Sequence, residues 1–155
     1  MNIKTKRAFI FVVPLAFFVL DRLAKWYALA ALPEGRGVVL LSWLKYEFFQ
    51  NQGLAFSLFS PLMATVVSAC AYIALGAYAL RHKLSGKPFS NRELFSFVLI
   101  ALGGASNIYD RLALGGVTDY IIFARSAWNI ADIMILAGIA LMLKREATGD
   151  KSTGA

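Results

Sequence analysis

The sequence has little of the chemistry that builds metal sites and crosslinks: its 155 residues include one cysteine and one histidine. A single cysteine cannot form an internal disulfide, and one histidine leaves no His/Cys cluster with metal-ligand spacing. We therefore predict no bound metal. Cys70 lies in an apolar stretch and is expected to serve packing, and His82 is expected to mark the basic end of a span.

Charged residues are also scarce. They make up 16% of the chain and hydrophobic residues 59%, against about 25% and 45–50% in ordinary soluble domains. This composition excludes a disordered chain and favours a bilayer as the solvent. The net charge of +7 would suit nucleic acid, but the basic residues lie between apolar runs and form no basic face, so we predict no nucleic-acid partner.

Four stretches approach the about 20 apolar residues that a membrane-spanning helix needs. They cover residues 8–31, 61–80, 94–114 and 127–143. The fourth opens with Asn129 and is short, so we place its start a few residues earlier, at about 127. The prediction is an all-α membrane protein with four transmembrane helices, in which residues 1–155 form a single integral membrane domain.

The placement of Lys and Arg predicts the orientation, because cytoplasmic loops carry the excess. Ten of the sixteen flank the N-terminus, the connection between the second and third stretches, or the C-terminus. Both termini should therefore be cytoplasmic. We prefer a span to a cleaved signal for the first stretch, since Asp21, Arg22 and Lys25 lie where a signal would be neutral.

The connection between the first two stretches, residues 37–59, is long and rich in aromatic and β-branched residues. Trp43 and Tyr46 are typical of the headgroup region of a bilayer. We predict short strands or an interfacial element there.

Polar residues at membrane depth are candidates for a functional site, because they are costly unless paired or wetted. With both termini inside, the ends of the first and third spans and the start of the fourth meet at the outer face. This brings to similar depth Asp21, Asn107, Asp110, Arg111, Asn129 and Asp132, with Asp119 in the short connection between the third and fourth spans.

Two of these carboxylates suggest a reaction. If Asp119 and Asp132 meet, one keeps a proton while the other acts as a base, so the pair can activate water and protonate a leaving amine. No serine has an obvious activating partner, since His82 is placed on the cytoplasmic side. A Ser-Lys dyad using Lys25 stays open.

Structural interpretations stand beside the functional ones. Asp21 and Lys25, at i and i+4, suit a structural ion pair equally well. Asp110 could pair with Arg111 to orient the bundle, or both could bind substrate.

Small residues and helix caps offer further structural interpretations. Residues 103–106 favour close helix packing over phosphate binding. Asn129 and Asp132 could cap a helix, because such side chains satisfy first-turn amides.

Five motifs follow one another along the chain: DRLAK at 21–25, NQGLAFS at 51–57, GASNIYDR at 104–111, VTDYI at 117–121 and WNIAD at 128–132. Together they resemble the lipoprotein signal peptidases, also called signal peptidase II, which are bacterial membrane aspartyl proteases. The resemblance covers nearly the whole chain. It implies that Asp119 and Asp132 are the catalytic dyad. It assigns substrate binding or support to Asp21, Lys25, Asn51, Gly53, Asn107, Asp110, Arg111 and Asn129.

The resemblance also implies a substrate and a place. The substrate would be a prolipoprotein with a diacylglyceryl group on its cysteine, cut on the amino side of that cysteine. The enzyme would be a monomer among the lipids of the bacterial inner membrane, with its active site at the extracytoplasmic face and no cofactor. Residues 37–59 would form a small extracytoplasmic β-cradle between the first and second helices.

The chain departs from the family pattern in two places. Ser106 stands where the family commonly has glycine. Only twelve residues separate Asp119 from Asp132, fewer than is usual, and we expect this short connection to expose the site or narrow the range of substrates.

Two rival functions remain. One is a small ion-coupled transporter in which Asp21, Asp110 and Asp132 relay ions. The other is a catalytically altered relative that binds lipoproteins as a scaffold, which the short connection would favour.

Overall fold

The computed structural model describes residues 3–32, 37–53, 60–86, 88–124 and 126–149, with side chains from residue 7 to residue 143. The helices are α1 (Ile3–Ala31), α2 (Pro61–Leu84), α3 (Asn91–Leu114) and α4 (Ile130–Gly149). The strands are β1 (Val38–Leu41), β2 (Leu44–Asn51), β3 (Val117–Phe123) and β4 (Ser126–Trp128). The protein is therefore mostly helical with one small sheet. The rest of the predicted cradle loop, residues 54–59, lies outside the described residues.

Local sequence signals set the helix ends. The Ser60 side chain accepts a hydrogen bond from the backbone of Met63, next to a proline in the first turn of α2. Ser90 and Glu93 form a capping box at the start of α3, and Gly115 ends that helix with a φ of 75°. Side-chain acceptors satisfy the free N–H groups at a helix start, and glycine adopts the left-handed ending without a Cβ penalty.

The sheet is antiparallel in the order β1-β2-β3-β4. The strands predicted within residues 37–59 are present as β1 and β2. The prediction of a helical protein with a small β-cradle between the first two helices is confirmed in part, since the protein is mostly helical and β1 and β2 lie there. The all-α class is wrong, because the sheet also takes β3 and β4 from the connection between α3 and α4. The pairs Phe49 with Asp119 and Asn51 with Val117 join the two connections.

The predicted start of the fourth helix at 127 is also wrong. Residues 126–128 pair with β3, with Trp128 opposite Ile121, so their backbone groups serve the sheet. The helix begins at Ile130, after Asn129, whose side chain accepts a hydrogen bond from the backbone N–H of Asp132.

The molecule is apolar outside and polar inside. Large side chains such as Leu62, Ile73 and Leu112 are at least 70% exposed. The buried polar set includes Asp21, Lys25, Ser106, Asp110, Arg111, Thr118, Asp119 and Asn129. This arrangement suits a bilayer, where apolar side chains face lipid and polar groups must be satisfied internally.

Two helices, α2 and α3, are long and apolar enough to cross a membrane by length and composition. The apolar part of α4, Ile130–Leu143, is shorter, and α1 carries Asp21, Arg22 and Lys25 within its length. The count of four spans therefore stays a prediction.

Cys70 corrects one expectation from the sequence, since it is exposed on α2 and does not serve packing within the chain. His82 lies near the end of α2, where its ring stacks on Phe89 at 3.7 Å between centroids. Its Nε2 atom is 3.9 Å from Glu93. His82, Phe89 and Glu93 thus connect the end of α2 to the start of α3, away from the sheet.

Gly103 allows α3 and α4 to approach closely. A Cβ atom there would lie 2.7 Å from the carbonyl oxygen of Ala131 and 3.0 Å from the side chain of Ile135. Gly104 is similarly close to the ring of Tyr72, at 3.1 Å. The interpretation of residues 103–106 as a packing segment therefore holds for both glycines.

We predict that Gly103→Ala lowers the stability of the protein by about 1–3 kcal/mol, because the added methyl group forces two backbones apart. The measurement is the melting temperature of the detergent-solubilised protein. Gly76→Ala is the matched control, since a Cβ atom at that exposed position of α2 meets nothing within 4 Å. Equal melting temperatures for the two variants would contradict the prediction.

Candidate active site

A cluster of buried charges joins α1 to α3. The Nζ atom of Lys25 lies 3.2 Å from Asp21 and 3.0 Å from Asp110, and all three side chains are fully buried. Arg22 adds a contact of 2.6 Å to Asp110 and lies over the ring of Tyr109. Buried charges are tolerated when they are paired in this way. The ion pair suggested by Asp21 and Lys25 is therefore present, as part of a larger network.

Asp21 extends this network to the sheet and to α4. Its carboxylate accepts hydrogen bonds from the hydroxyls of Ser106 and Tyr120 and from the backbone N–H of Ala131, at 2.6–3.1 Å. The Tyr120 hydroxyl also accepts from the backbone of Ile130. Asp21 of α1 thereby fixes the start of α4.

Asp119 is held by two asparagines. Its Oδ1 atom accepts from Asn129 at 2.6 Å and its Oδ2 atom from Asn51 at 3.1 Å. The carboxylate is almost fully buried, with 1% exposed. The expectation that the short connection exposes the site is thus wrong for Asp119, because β3 is covered by neighbouring elements.

Asp132 lies in the first turn of α4 and is partly buried. Its Oδ1 atom accepts from the amide of Asn107 at 2.8 Å, and its Oδ2 atom accepts from the backbone of Asn129. Asn129 therefore caps α4, as its structural interpretation predicts, and its amide also contacts Asp119.

The amide of each of these three asparagines has a defined orientation. A donor faces each Oδ1 atom: the backbone N–H of Gly53 for Asn51, the backbone N–H of Asp132 for Asn129, and the ammonium group of Lys25 for Asn107. Because a donor requires an oxygen opposite it, every NH₂ group must point to a carboxylate. The three side-chain amides and the backbone N–H of Asn129 together place four donors around the two aspartates.

Arg111 does not pair with Asp110, contrary to one expectation from the sequence. Its Nη2 atom donates to the carbonyl oxygen of Gly53 at 2.7 Å. Within the part of the chain that the structure describes, its buried Nη1 atom has no hydrogen-bond partner. Asp110 instead accepts from Arg22, Lys25 and the backbone of Thr118.

A cavity of about 770 Å³ opens beside the two aspartates. Its polar side is formed by Lys45, Glu47, Asn51, Asn107, Arg111, Asp119 and Asp132. Its apolar side lies between α2, α3 and α4 and includes Tyr72, Leu75, Ile100, Ile108, Ile135 and Leu136. Such a cavity suits a ligand with an apolar tail and a polar reacting group.

Burial raises the pKa of Asp119 to about 7, and the nearby charge of Asp132 adds to this rise. Hydrogen bonds from Asn51 and Asn129 oppose it, as does the charge of Lys25. Burial also raises the pKa of Tyr120, and the charge of Asp21 raises it further. The phenol of Tyr120 therefore stays protonated and acts as a donor. One carboxyl group of the site can therefore hold a proton near neutral pH.

The structure brings together all ten site residues named from the sequence, within one network or on the wall of the cavity. Sequence reasoning missed Arg22 and Tyr120 as members of that network. Both lie in the quoted motifs, next to Asp21 and Asp119. Ser106 was expected to affect only packing, yet its hydroxyl joins Asp21 to Lys25.

The chain matches a protein family described as signal peptidase (SPase) II over residues 13–147. A lipoprotein signal peptidase of Streptococcus pneumoniae is 30% identical over 94% of this chain and 99% of its own length. A lipoprotein signal peptidase of Mesorhizobium japonicum is 33% identical over 86% and 82%. A bacterial membrane enzyme solved at 2.3 Å resolution has the same fold, with a TM-score of 0.79 at 18% identity and coverage of 96% of this chain and 94% of that one.

We predict that Tyr120→Phe destabilises the protein by about 1–3 kcal/mol, because it removes a buried donor to Asp21 and leaves the backbone N–H of Ile130 without its acceptor. Thermal unfolding in detergent measures the effect. Tyr109→Phe is the control, since that side chain is 58% exposed and its ring would still contact Arg22. If both variants melt like the wild type, the Tyr120 hydroxyl does not fix α4.

Proposed function

The chain belongs to the signal peptidase II family, and from this membership we propose that it is a membrane aspartyl endopeptidase acting on diacylglyceryl-modified prolipoproteins. It would cut on the amino side of the lipidated cysteine and so remove the signal peptide. The observation that carries the proposal is the pair Asp119 and Asp132 on the wall of one cavity, each held by oriented amide donors.

The charges around the pair favour one shared proton. Among the described side chains of the network, the three cations Arg22, Lys25 and Arg111 face the four carboxylates Asp21, Asp110, Asp119 and Asp132. Full ionisation would leave one excess negative charge in a buried site. Since the pKa of Asp119 is about 7, we assign this proton to Asp119 and the role of base to Asp132.

The reaction follows from these two states. Asp132 takes a proton from a water molecule as the water oxygen bonds to the scissile carbonyl carbon. Asp119 then gives its proton to the leaving amine as the carbon–nitrogen bond breaks. The tetrahedral oxyanion needs a donor, and the best placed candidate is the Nη1 atom of Arg111 on the cavity wall, which has no partner among the described residues. Asn107 is a second candidate.

The apolar half of the cavity supports a lipidated substrate. The acyl chains would lie between α2, α3 and α4, and the cysteine would stay at headgroup depth beside the carboxylates. This geometry fits four spans, since the four helices contain 29, 24, 24 and 20 residues and about 20 cross a bilayer. The site would face the outer side of the inner membrane, with both termini cytoplasmic.

We predict that Asp119→Asn and Asp132→Asn each lower the cleavage rate by about 100- to 10,000-fold, the range expected when an acid or base is lost. Purified protein in detergent would be incubated with a diacylglyceryl-modified prolipoprotein, and release of the signal peptide would be followed on a gel. Both variants keep the shape of the side chain and should remain folded, which their melting temperatures would verify.

The controls separate the rival functions. Cleavage retained by folded Asp132→Asn would refute the dyad. Equal cleavage of an unmodified precursor would refute the lipid requirement. A folded wild type that binds the lipidated substrate without cutting it would support the scaffold function.

We also predict that cleavage slows as the pH rises through about 7, because Asp119 with its raised pKa loses its proton there. Asn51→Ala removes a hydrogen bond that lowers this pKa, so the alkaline limb of the rate profile should move up by roughly one pH unit or less. Gln50→Ala is the matched control, since the Gln50 side chain bonds to Leu114. An unmoved limb in Asn51→Ala would contradict the assignment of the proton.

A further inference from the structure

The amide of Asn107 differs from those of Asn51 and Asn129 in what holds it in place. Backbone N–H groups orient the other two, whereas the Nζ atom of Lys25 lies 2.7 Å from Oδ1 of Asn107. In the described residues this is the one donor that faces that oxygen. The orientation of Asn107 thus depends on a single side chain from another helix.

We propose that Lys25 is a positioning residue, whose ammonium group fixes the amide of Asn107 so that its NH₂ group donates to Asp132. The proposal rests on the proposed function in one respect, since it takes Asp132 as the reacting carboxylate. Lys25 lies on α1 and has no hydrogen bond to Asp119 or Asp132. Under this proposal it still controls the geometry of Asp132.

The ammonium group of Lys25 is itself rigidly held. It contacts Asp21 at 3.2 Å, Asp110 at 3.0 Å and the Ser106 hydroxyl at 3.3 Å, and the side chain is fully buried. A lysine carries only donors. It can therefore donate to the oxygen of Asn107 but cannot accept from the NH₂ group, so it stabilises one orientation of the amide.

Loss of the hydrogen bond from Lys25 to Asn107 would change the surroundings of Asp132 directly. Asn107 could turn its oxygen toward the carboxylate, and two oxygen acceptors repel each other. The other charged groups that act on Asp132 are Asp21 from α1, Arg111 from α3 and Asp119 from β3. None of these groups donates to Asn107, so none can restore its orientation.

The test needs a variant that keeps the buried charges balanced. Lys25→Met alone would leave Asp21 and Asp110 short of a cation, and breaking a buried pair destabilises strongly. Lys25→Met/Asp21→Asn removes one charge of each sign, and an asparagine at position 21 can still accept from Tyr120 and Ala131. Asp21→Asn is the reference, because it keeps Lys25 and its contact with Asn107.

We predict that kcat for a diacylglyceryl-modified prolipopeptide is about 100-fold lower in Lys25→Met/Asp21→Asn than in Asp21→Asn, the size expected for a misplaced catalytic group. KM should change little, because Lys25 is buried behind Asn107 and does not line the cavity. A general loss of folded protein would instead lower the amount of active enzyme, which active-site titration and the melting temperature would reveal.

A double-mutant cycle shows whether Lys25 acts through Asn107. Once Asn107→Ala is present in the Asp21→Asn protein, adding Lys25→Met should cause no further loss of kcat. A further loss of the same 100-fold size would overturn the proposal, as would an unchanged kcat in Lys25→Met/Asp21→Asn.

A spectroscopic measurement does not depend on cleavage. In protein labelled with ¹⁵N-asparagine, the side-chain amide signal of Asn107, identified by its loss in Asn107→Ala, should move when Lys25→Met is added to Asp21→Asn. The signals of Asn51 and Asn129 should stay. If the wild type cuts no substrate while the Asn107 signal moves, the proposed function fails and the positioning role stands. If the signal does not move, the positioning role fails.

Discussion

The rest of the structure depends on the buried ion pairs of the Lys25 ammonium group. This group pairs with both Asp21 and Asp110, while Arg22 supplies the second positive charge beside Asp110, and removing one partner from such a buried set costs about 3–5 kcal/mol. Asp21, once neutralised, can hold Tyr120 and the start of α4. Three helices and one strand thus meet at charges that water does not reach. In a bilayer, where apolar contacts between helices gain little, such polar contacts are the specific ones.

The sequence predicted the helices and the meeting of polar residues because both follow from local patterns. Apolar runs mark spans, and Asp21, Asn107 and Asp132 each lie at the end of such a run. Strands β3 and β4 were missed for a physical reason. The segment of residues 117–128 is short, and its strand conformation depends on pairing with β2, which lies about seventy residues away in the chain. The contact between Asn51 and Asp119 depends on that pairing as well.

Several side chains of this site make two different contacts at once. Asn129 caps α4 and holds Asp119 with the two ends of one amide group. Ser106 serves close packing and also joins Asp21 to Lys25. A chain of 155 residues with 16% charged residues has few polar side chains. A residue that satisfies a backbone group with one atom can therefore hold a neighbouring carboxylate with another, at no added desolvation cost.

The hairpin of β3 and β4 decides where this protein can change its length. Side chains alternate between the faces of a strand, so one residue added between Val117 and Asp119 would turn Asp119 away from its asparagines. The tip is different, because Ala124 has a φ of 54° and its backbone N–H donates to the carbonyl oxygen of Trp43. Insertions at the tip would reshape the rim of the cavity while the carboxylate stays in register. The length of this hairpin can therefore vary at its tip independently of the position of Asp119.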